Sequence, residues 1–353
     1  MINQVDFHLN KEQNDSVNIS FIIQRQIKMM KKVFTLVTMF SFFLLITFSD
    51  CAHSQQQVIT SDKVTTNSTS GKFTPPANKI LLFIGQDSDT ISEYITAVPE
   101  DNIEGVTLYS QLKSAQPKET LKAIFSPGFW QSGSMDFTKT LAESPNAAVA
   151  VGLAIDNCNQ DNHQENVANG TYDQSISVMV KHFKSLAPRK IFLRIGYEFD
   201  GPWNCYTPNE YKLAFQRIAK AIAEHKAENI ATVWQSASWP DSFGNPIYDT
   251  GMSGHLNKWY PGDEYVDWIG MSVFYRDLSQ WNYLPSTTPQ VGQEIVLSFA
   301  RQHKKPVMIA ESAPQGFRIE ALTNSVIQEN NQKPVKAEDI WRAWYQPYFD
   351  FIY

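Results

Sequence analysis

Two glutamates each close a hydrophobic run, and paired carboxyls at such positions can carry out acid–base and nucleophilic chemistry. Glu198 ends the run that begins at Ile191, and Glu311 ends the run that begins at Pro306. A buried strand has no structural need for a carboxylate at its last position. Cleavage of a glycosidic bond does need two: one carboxyl protonates the leaving oxygen, and the other attacks carbon or activates water. We therefore predict Glu198 as the acid/base and Glu311 as the nucleophile.

Arg194 lies four residues before Glu198, and its charge is the second chemical feature of this segment. We expect its guanidinium to point into the site, where it would stabilise the charge of Glu311 or bind substrate. The alternative is a purely structural ion pair between Arg194 and Glu198.

Aromatic and polar residues at or after the predicted strand ends are candidates for substrate contact. The chain is 13% aromatic and has nine tryptophans, and an exposed ring can stack on a sugar. For the residues in loops, ordinary packing and turn or cap roles are the alternatives. The predicted substrate-binding set is Gln86, Asp156, Arg194, Tyr197, Asp200, Trp203, Trp234 and Tyr275.

Seven short hydrophobic runs alternate with amphipathic stretches, which predicts β/α units around a parallel sheet. The runs cover residues 79–84, 105–109, 147–155, 191–198, 230–235, 266–274 and 306–311, and helical patterns cover 172–186, 208–226 and 336–351. No glycine-rich phosphate turn follows a run, so a (β/α)8 TIM barrel fits better than a doubly wound sheet. An eighth strand and helix are missing from this count. We expect a C-terminal truncation, with a miscount as the alternative.

The residues around Glu198 resemble the acid/base motif of glycoside hydrolase family 26, a family of clan A retaining glycosidases. Arg194 four residues before it, Gly201 three after and Trp203 five after reproduce the family spacing. The segments WYPGDEYVDWIGMSVF (259–274) and PVMIAES (306–312) are also typical of the family. The resemblance covers roughly residues 78–353. It implies a barrel with the acid/base after strand four, the nucleophile after strand seven and a double-displacement mechanism.

Some residues of the motif differ from those of the family's mannanases and resemble those of its β-1,3-xylanases. Tyr197 and Asp200 stand where family mannanases usually have His and Asn, and the family's strand-six tyrosine aligns with Phe274, one residue before Tyr275. The form Gly-Tyr-Glu-Phe-Asp-Gly-Pro-Trp is similar to that of the β-1,3-xylanase branch.

The N-terminal region has the composition of a targeting segment. Residues 29–54 contain a basic start, an apolar run and a small-x-small site, which predicts a signal peptide after an upstream extension, 1–28. Lipidation at Cys51 is the alternative. Residues 55–77, rich in Ser and Thr, are predicted to be a flexible linker before the catalytic barrel, 78–353. We expect a monomeric bacterial protein that is secreted, periplasmic or on the cell surface.

Cys158 and Cys205 fall in the loops after the third and fourth predicted strands. In an exported protein they either form a disulfide or remain two buried thiols. The segment 156–166 is rich in oxygen ligands but lacks the ordered spacing of a calcium loop, so we predict no metal and no cofactor.

The charge pattern excludes one class of partner. The net charge is −6 and basic blocks are absent from the sequence, which argues against nucleic acid as a partner.

The predicted function is an exported retaining endo-β-glycanase acting on a plant or algal polysaccharide, either β-1,3-xylan or β-mannan. The alternative is a non-catalytic glycan-binding surface protein with a hydrolase-like fold.

Overall fold

The computed structural model describes residues 71–76, 79–99, 103–130, 133–155, 158, 162–239, 244–274, 288–313 and 337–352. The predicted upstream extension, signal peptide and lipidation site at Cys51 lie outside these ranges, as do the predicted substrate residues Asp156 and Tyr275. A search of the described helices finds none with the length and hydropathy needed to cross a bilayer.

A seven-stranded parallel sheet, in the order β1-β2-β5-β6-β7-β8-β9, forms the centre of the larger unit. Its middle strands, β5, β6 and β7, are mainly apolar and buried on both faces, as expected when helices cover a parallel sheet. A two-stranded antiparallel hairpin of β3 and β4 interrupts the chain between β2 and β5. The strands are β1 (Phe83–Ile84), β2 (Gly105–Gln111), β3 (Gly128–Trp130), β4 (Gly133–Met135), β5 (Ala148–Ala154), β6 (Ile191–Ile195), β7 (Ile230–Ser236), β8 (Trp268–Phe274) and β9 (Val307–Ala313).

The predicted fold class is confirmed, since all seven predicted runs form strands of this curled sheet. The hairpin was not predicted. Several predicted strand boundaries were wrong. β1 begins at Phe83 rather than at Lys79, and β9 continues past Glu311 to Ala313. β6 ends at Ile195 rather than at Glu198, because Gly196 adopts a left-handed φ of 53° that turns the chain out of the sheet. The predicted C-terminal truncation stays a prediction.

Helices connect the strands and bury one apolar side each. The pattern predicted over 208–226 forms the helix Pro208–Glu224, whose buried residues include Tyr211, Phe215 and Ile218. Up to residue 313, the α-helices are Ser88–Ala97, Pro117–Thr120, Phe137–Glu143, His163–Ala168, Asp173–Ser185, Pro208–Glu224, His255–Trp259 and Pro289–Gln302, with 3₁₀ turns at Pro202–Asn204, Pro246–Tyr248 and Asp263–Tyr265.

An apolar layer fills the interior of the sheet near the strand beginnings. Phe192 lies in this layer and meets Phe73, Phe83 and Trp268 edge-on, at ring-centroid distances of 5.7, 5.4 and 5.5 Å. The Trp268 indole also donates to the carbonyl of Lys72 at 2.7 Å. Residues 71–74 therefore pack against the sheet, whereas we predicted a flexible linker over 55–77. The reason is that the apolar ring of Phe73 packs against the core.

Residues 337–352 belong to a second compact unit, together with residues 93–99. The helix predicted over 336–351 forms as two α-helices, Ala337–Ile340 and Gln346–Ile352, on either side of a π-helical turn, Trp341–Tyr345.

Candidate active site

A layer of polar and aromatic side chains lies above the apolar layer, toward the strand ends. Five strands each contribute one side chain to it, and hydrogen bonds and ring contacts join them into one cluster. The members are Tyr109 of β2, Arg194 of β6, Gln235 of β7, Ser272 of β8 and Glu311 of β9. Since strands as far apart as β2 and β9 contribute, the sheet must curve around this cluster.

A bulge in β9 brings Glu311 to the interior face. Met271 pairs with Ile309 but Ser272 pairs with Glu311, so Ala310 is an extra residue on β9. Ala310 belongs to the apolar layer, and Glu311 also points inward. Side chains normally alternate between faces, and a bulge is the usual way in which two successive residues share one.

Arg194 is fully buried, at 0% exposure, and is the centre of the cluster. Its Nε donates to Gln235 Oε1 at 2.8 Å, and its Nη2 forms an ion pair with Glu311 Oε1. The guanidinium carbon lies 5.2 Å from the ring centres of both Tyr109 and Tyr197. The contacts of Arg194 are thus with the protein, and the ion pair with Glu311 is the charge-stabilising role that we expected. Its role as a substrate ligand stays a prediction.

Gly152 makes room for the two tyrosines. A Cβ at this position would lie 2.4 Å from Cδ1 of Tyr109 and 3.3 Å from Cδ1 of Tyr197. The two rings meet edge-on at 5.4 Å, and Tyr197, a predicted substrate residue, is half-buried against Tyr109. The glycine in β5 thus allows this aromatic pair to cover Arg194.

Glu198 lies three residues beyond β6 in a left-handed conformation, with φ of 52°. Its side-chain Oε1 accepts a hydrogen bond from Ser272 Oγ at 2.7 Å, and Oε2 accepts from Trp203 Nε1 at 2.9 Å. The residue is 8% exposed. The structure therefore brings both predicted catalytic carboxyls into one hydrogen-bonded cluster, with Gln235 Nε2 between Ser272 Oγ, at 3.0 Å, and Glu311 Oε1, at 3.5 Å.

The electrostatics give the two carboxyls different states. Burial and the negative charge of Glu311 raise the pKa of Glu198 to about 8, although the hydrogen bonds from Ser272 and Trp203 oppose the rise. Glu198 is therefore neutral at pH 7, while Glu311 is paired with a buried cation. Environments that separate two carboxyls in this way are typical of an acid and a nucleophile.

Trp203 lies on the 3₁₀ turn after Glu198 and is 42% exposed. Its ring covers Gly201, where a Cβ would lie 2.5 Å from Cε2 of the indole. Cys205, at the end of this turn, forms a disulfide with Cys158 in the loop after β5. The predicted sugar-stacking residue therefore combines an exposed ring with a direct hydrogen bond to Glu198.

Two other predicted substrate residues, Asp200 and Trp234, are buried and contact the protein. Asp200 is buried, and its carboxylate accepts from Ser236 Oγ and the Ala237 backbone N–H, both at 2.6 Å, and lies 3.1 Å from His255 Nε2. These contacts tie the Glu198 turn to the end of β7.

Trp234 is the second of these residues, at 0% exposure. It stacks on Phe199 with ring centres 4.3 Å apart and packs against Phe299. Neighbouring strand residues face opposite sides, so Gln235 faces the cluster and Trp234 faces the helices.

The residues after β1 contribute a helix cap. Asp87 is buried and accepts from the backbone N–H groups of Asp89 and Thr90, at 3.1 and 2.9 Å, which caps the helix Ser88–Ala97. Gln86, predicted to bind substrate, is exposed beside this cap. Within the described ranges, no group of three His, Cys, Asp or Glu residues could hold a metal ion.

Sequence reasoning missed Tyr109, Gly152, Gln235 and Ser272. Ser272 carried a usable signal, because it is the one polar residue in the apolar run Trp268–Phe274, and Gln235 carried a weaker one in a strand that also contains Thr232 and Ser236. A buried polar side chain needs hydrogen-bond partners, and the interior of a barrel near its strand ends supplies them.

Comparison with known proteins gives matches in sequence. The chain is 30% identical over 285 residues to a β-1,3-xylanase from a Vibrio species, a match that covers 80% of this chain and 55% of that protein. It is 29% identical over 285 residues to a β-1,3-xylanase from an Alcaligenes species, covering 80% of this chain and 54% of that protein. The chain thus spans about half the length of these two relatives. No family model matches it.

Solved structures also match. A GH26 β-mannanase from Bacteroides ovatus aligns with a TM-score of 0.42 and 12% identity, over 60% of this chain and 62% of that one. The GH26 domain of an endo-β-mannanase/endo-β-glucanase from Prevotella bryantii aligns with a TM-score of 0.45 and 14% identity, over 76% and 82% of the two chains. The similarity to β-1,3-xylanases that the motif around Glu198 indicates is confirmed by the two sequence relatives.

Proposed function

We propose, from the relationship of this chain to glycoside hydrolase family 26, that it is a retaining endo-β-glycanase in which Glu198 is the acid/base and Glu311 the nucleophile. One observation carries the proposal: a buried, neutral carboxyl and a carboxylate paired with Arg194 lie in the same hydrogen-bonded cluster. General acid catalysis needs the first and nucleophilic attack needs the second.

The reaction follows from these states. Glu311 attacks the anomeric carbon, the glycosidic C–O bond breaks, and the leaving oxygen takes the proton of Glu198. In the covalent intermediate Glu311 is an uncharged ester, so the repulsion that helped to raise the pKa of Glu198 is gone. Glu198, now a carboxylate, then accepts a proton from the water that cleaves the ester.

β-1,3-Xylan is the substrate that we favour over β-mannan. The sequence relatives that cover 80% of this chain are named β-1,3-xylanases, and Tyr197 and Asp200 stand where the family's mannanases have His and Asn. The hydrogen bonds that Asp200 accepts at the end of β7 fix the turn that carries Glu198.

A reducing-sugar assay with β-1,3-xylan, β-mannan and mixed-linkage glucan tests the proposal. We expect release of sugar from β-1,3-xylan by the wild type and loss of this activity in Glu311→Ala. Glu294→Ala, which removes an exposed carboxyl from the helix before β9, is the matched control and should remain active. If the wild type and Glu311→Ala both bind the polysaccharides and neither cleaves them, the protein is a glycan-binding protein with a hydrolase-like fold.

The stereochemistry of the first product tests retention separately. Proton NMR of the reaction mixture should show the β-anomer of the new reducing end before mutarotation. Early appearance of the α-anomer would indicate inversion, which needs carboxyls about 6.5–9.5 Å apart rather than about 5–5.5 Å.

Export of the enzyme is also part of the proposal, and the leader pattern of residues 29–54 supports it. Amino-terminal sequencing of the protein from a bacterial host should find a start near Gln55. A blocked, lipid-modified Cys51 would instead indicate a lipoprotein.

A further inference from the structure

Gln235 has an orientation that its neighbours determine. Arg194 Nε lies 2.8 Å from Oε1 of the amide, and a guanidinium has only donors, so the carbonyl oxygen must face Arg194. The amide NH₂ group then faces Ser272 Oγ, at 3.0 Å, and Glu311 Oε1, at 3.5 Å. Both of these oxygens can accept.

The contacts of Ser272 also determine the direction of its hydroxyl proton. Its Oγ accepts from Gln235 Nε2 and lies 2.7 Å from Glu198 Oε1. Because Oε1 is the acceptor that this hydroxyl reaches in the described part of the chain, the hydroxyl donates to Oε1. A proton on Oε1 would then have no acceptor among the described residues, because its contact there is with the donating hydroxyl of buried Ser272. On the other side of the carboxyl, Trp203 Nε1 can only donate, and it uses one acceptor site of Oε2.

We infer that Ser272 is a positioning residue that confines the acid proton of Glu198 to Oε2, the oxygen beside Trp203. The inference rests on the proposed role of Glu198 as the acid. Ser272 is buried whereas Trp203 is partly exposed, so Oε2 lies on the side of the carboxyl that is nearer to solvent. That is the side from which a glycosidic oxygen can approach.

The proton and the bonds balance in this arrangement. When Glu311 bonds to the anomeric carbon, the glycosidic C–O bond breaks and the Oε2–H proton moves to the leaving oxygen. Glu198 is left as a carboxylate, and both of its oxygens keep the donors that they already had, Ser272 and Trp203. No side chain has to turn during the step.

An NMR titration without substrate tests the Ser272 contact. The side-chain carboxyl ¹³C signal of Glu198 is identified by its absence in Glu198→Gln, and its pKa is measured in the wild type and in Ser272→Ala. The charged and titratable groups around Glu198, namely Arg194, Glu311 and Tyr109, are the same in both proteins. Because a hydrogen bond to a charged carboxylate is lost, we expect the pKa to rise by about one pH unit.

Two further variants control for folding. Ser272→Thr keeps a hydroxyl on the same strand and should restore the wild-type pKa. Ser110→Ala removes another buried strand hydroxyl, one that donates to the carbonyl of Lys122 at 2.9 Å, and should leave the pKa of Glu198 unchanged. A similar pKa in Ser272→Ala and Ser110→Ala would overturn the inference.

Kinetics with two classes of substrate test the position of the proton. Without Ser272 the remaining donor, Trp203 Nε1, favours Oε2 as the unprotonated oxygen, so the proton moves mainly to Oε1 and kcat/KM for the polysaccharide should fall about tenfold. An aryl glycoside with a leaving group of low pKa needs little protonation, and its kcat/KM should fall by less than about twofold. Equal losses on both substrates would overturn the inference. If the wild type cleaves neither substrate, the proposed function fails, and the NMR titration still decides whether Ser272 donates to Glu198.

Discussion

Replacement of the buried acid by its amide, Glu198→Gln, should stabilise the fold at alkaline pH while it abolishes catalysis. The unfolded chain releases this proton near the ordinary pKa of 4.5, whereas the folded protein holds it until about 8. Between these pH values the unfolded state binds fewer protons than the folded state, so the wild-type free energy of unfolding falls as pH rises. The amide does not titrate, so the variant avoids this loss.

The magnitude follows from the pKa and the hydrogen bonds. A rise of roughly 3.5 pH units, from 4.5 to about 8, corresponds to about 5 kcal/mol above pH 8. An amide has one oxygen, so only one of the donors Ser272 Oγ–H and Trp203 Nε1–H keeps its acceptor, which costs about 1 kcal/mol. We therefore expect Glu198→Gln to be about 1 kcal/mol less stable than the wild type near pH 4 and about 4 kcal/mol more stable near pH 9.

Urea unfolding followed by circular dichroism at acidic, neutral and alkaline pH measures this difference. Glu228→Gln, which changes an exposed carboxyl, is the control and should show no change of sign with pH. A Glu198→Gln difference of constant sign and size across the pH range would refute the buried-acid reasoning.

Three other variants test separate features of the structure. Gly152→Ala puts a methyl group 2.4 Å from Tyr109, so urea titration should show a loss of about 1–3 kcal/mol and assays a lower kcat. The double variant Cys158→Ser/Cys205→Ser opens a crosslink between residues 47 apart in sequence; it should lose about 2–4 kcal/mol in nonreducing buffer, and added reductant should have no further effect. Trp234→Ala empties a fully buried position and should cost about 3–5 kcal/mol with KM unchanged, whereas a raised KM at wild-type stability would contradict its place in the core.

The main sheet could be predicted because parallel strands buried on both faces are mainly apolar runs, as in β5. The hairpin could not be predicted. Its strands, β3 and β4, have three residues each and contain glycine and serine, which are typical of loops. The end of β6 was placed too late, since Gly196 is followed by the strand-like sequence Tyr-Glu-Phe. Only the left-handed backbone at Gly196 shows where the strand stops.

The two carboxyls could be predicted because a charge at the end of an apolar run has few structural explanations. The sequence does not show which of two neighbouring strand residues faces the interior. Side chains alternate between the two faces, so a shift of one residue exchanges them. Trp234 was chosen for its chemistry, and Gln235, one position later, proved to face the site. The role of Gly152 could not be predicted either, because it depends on where Tyr109 and Tyr197 lie in the fold. These tyrosines are 43 and 45 residues away from it along the chain.

The segment 71–74 has a practical consequence for expression. A recombinant chain cut at residue 78, where the catalytic barrel is predicted to start, would lose the carbonyl of Lys72 that accepts the Trp268 indole. It would also uncover the ring of Phe192 that Phe73 shields. Newly exposed aromatic surface of this kind promotes aggregation, so soluble material is best sought from chains that begin upstream of Gly71.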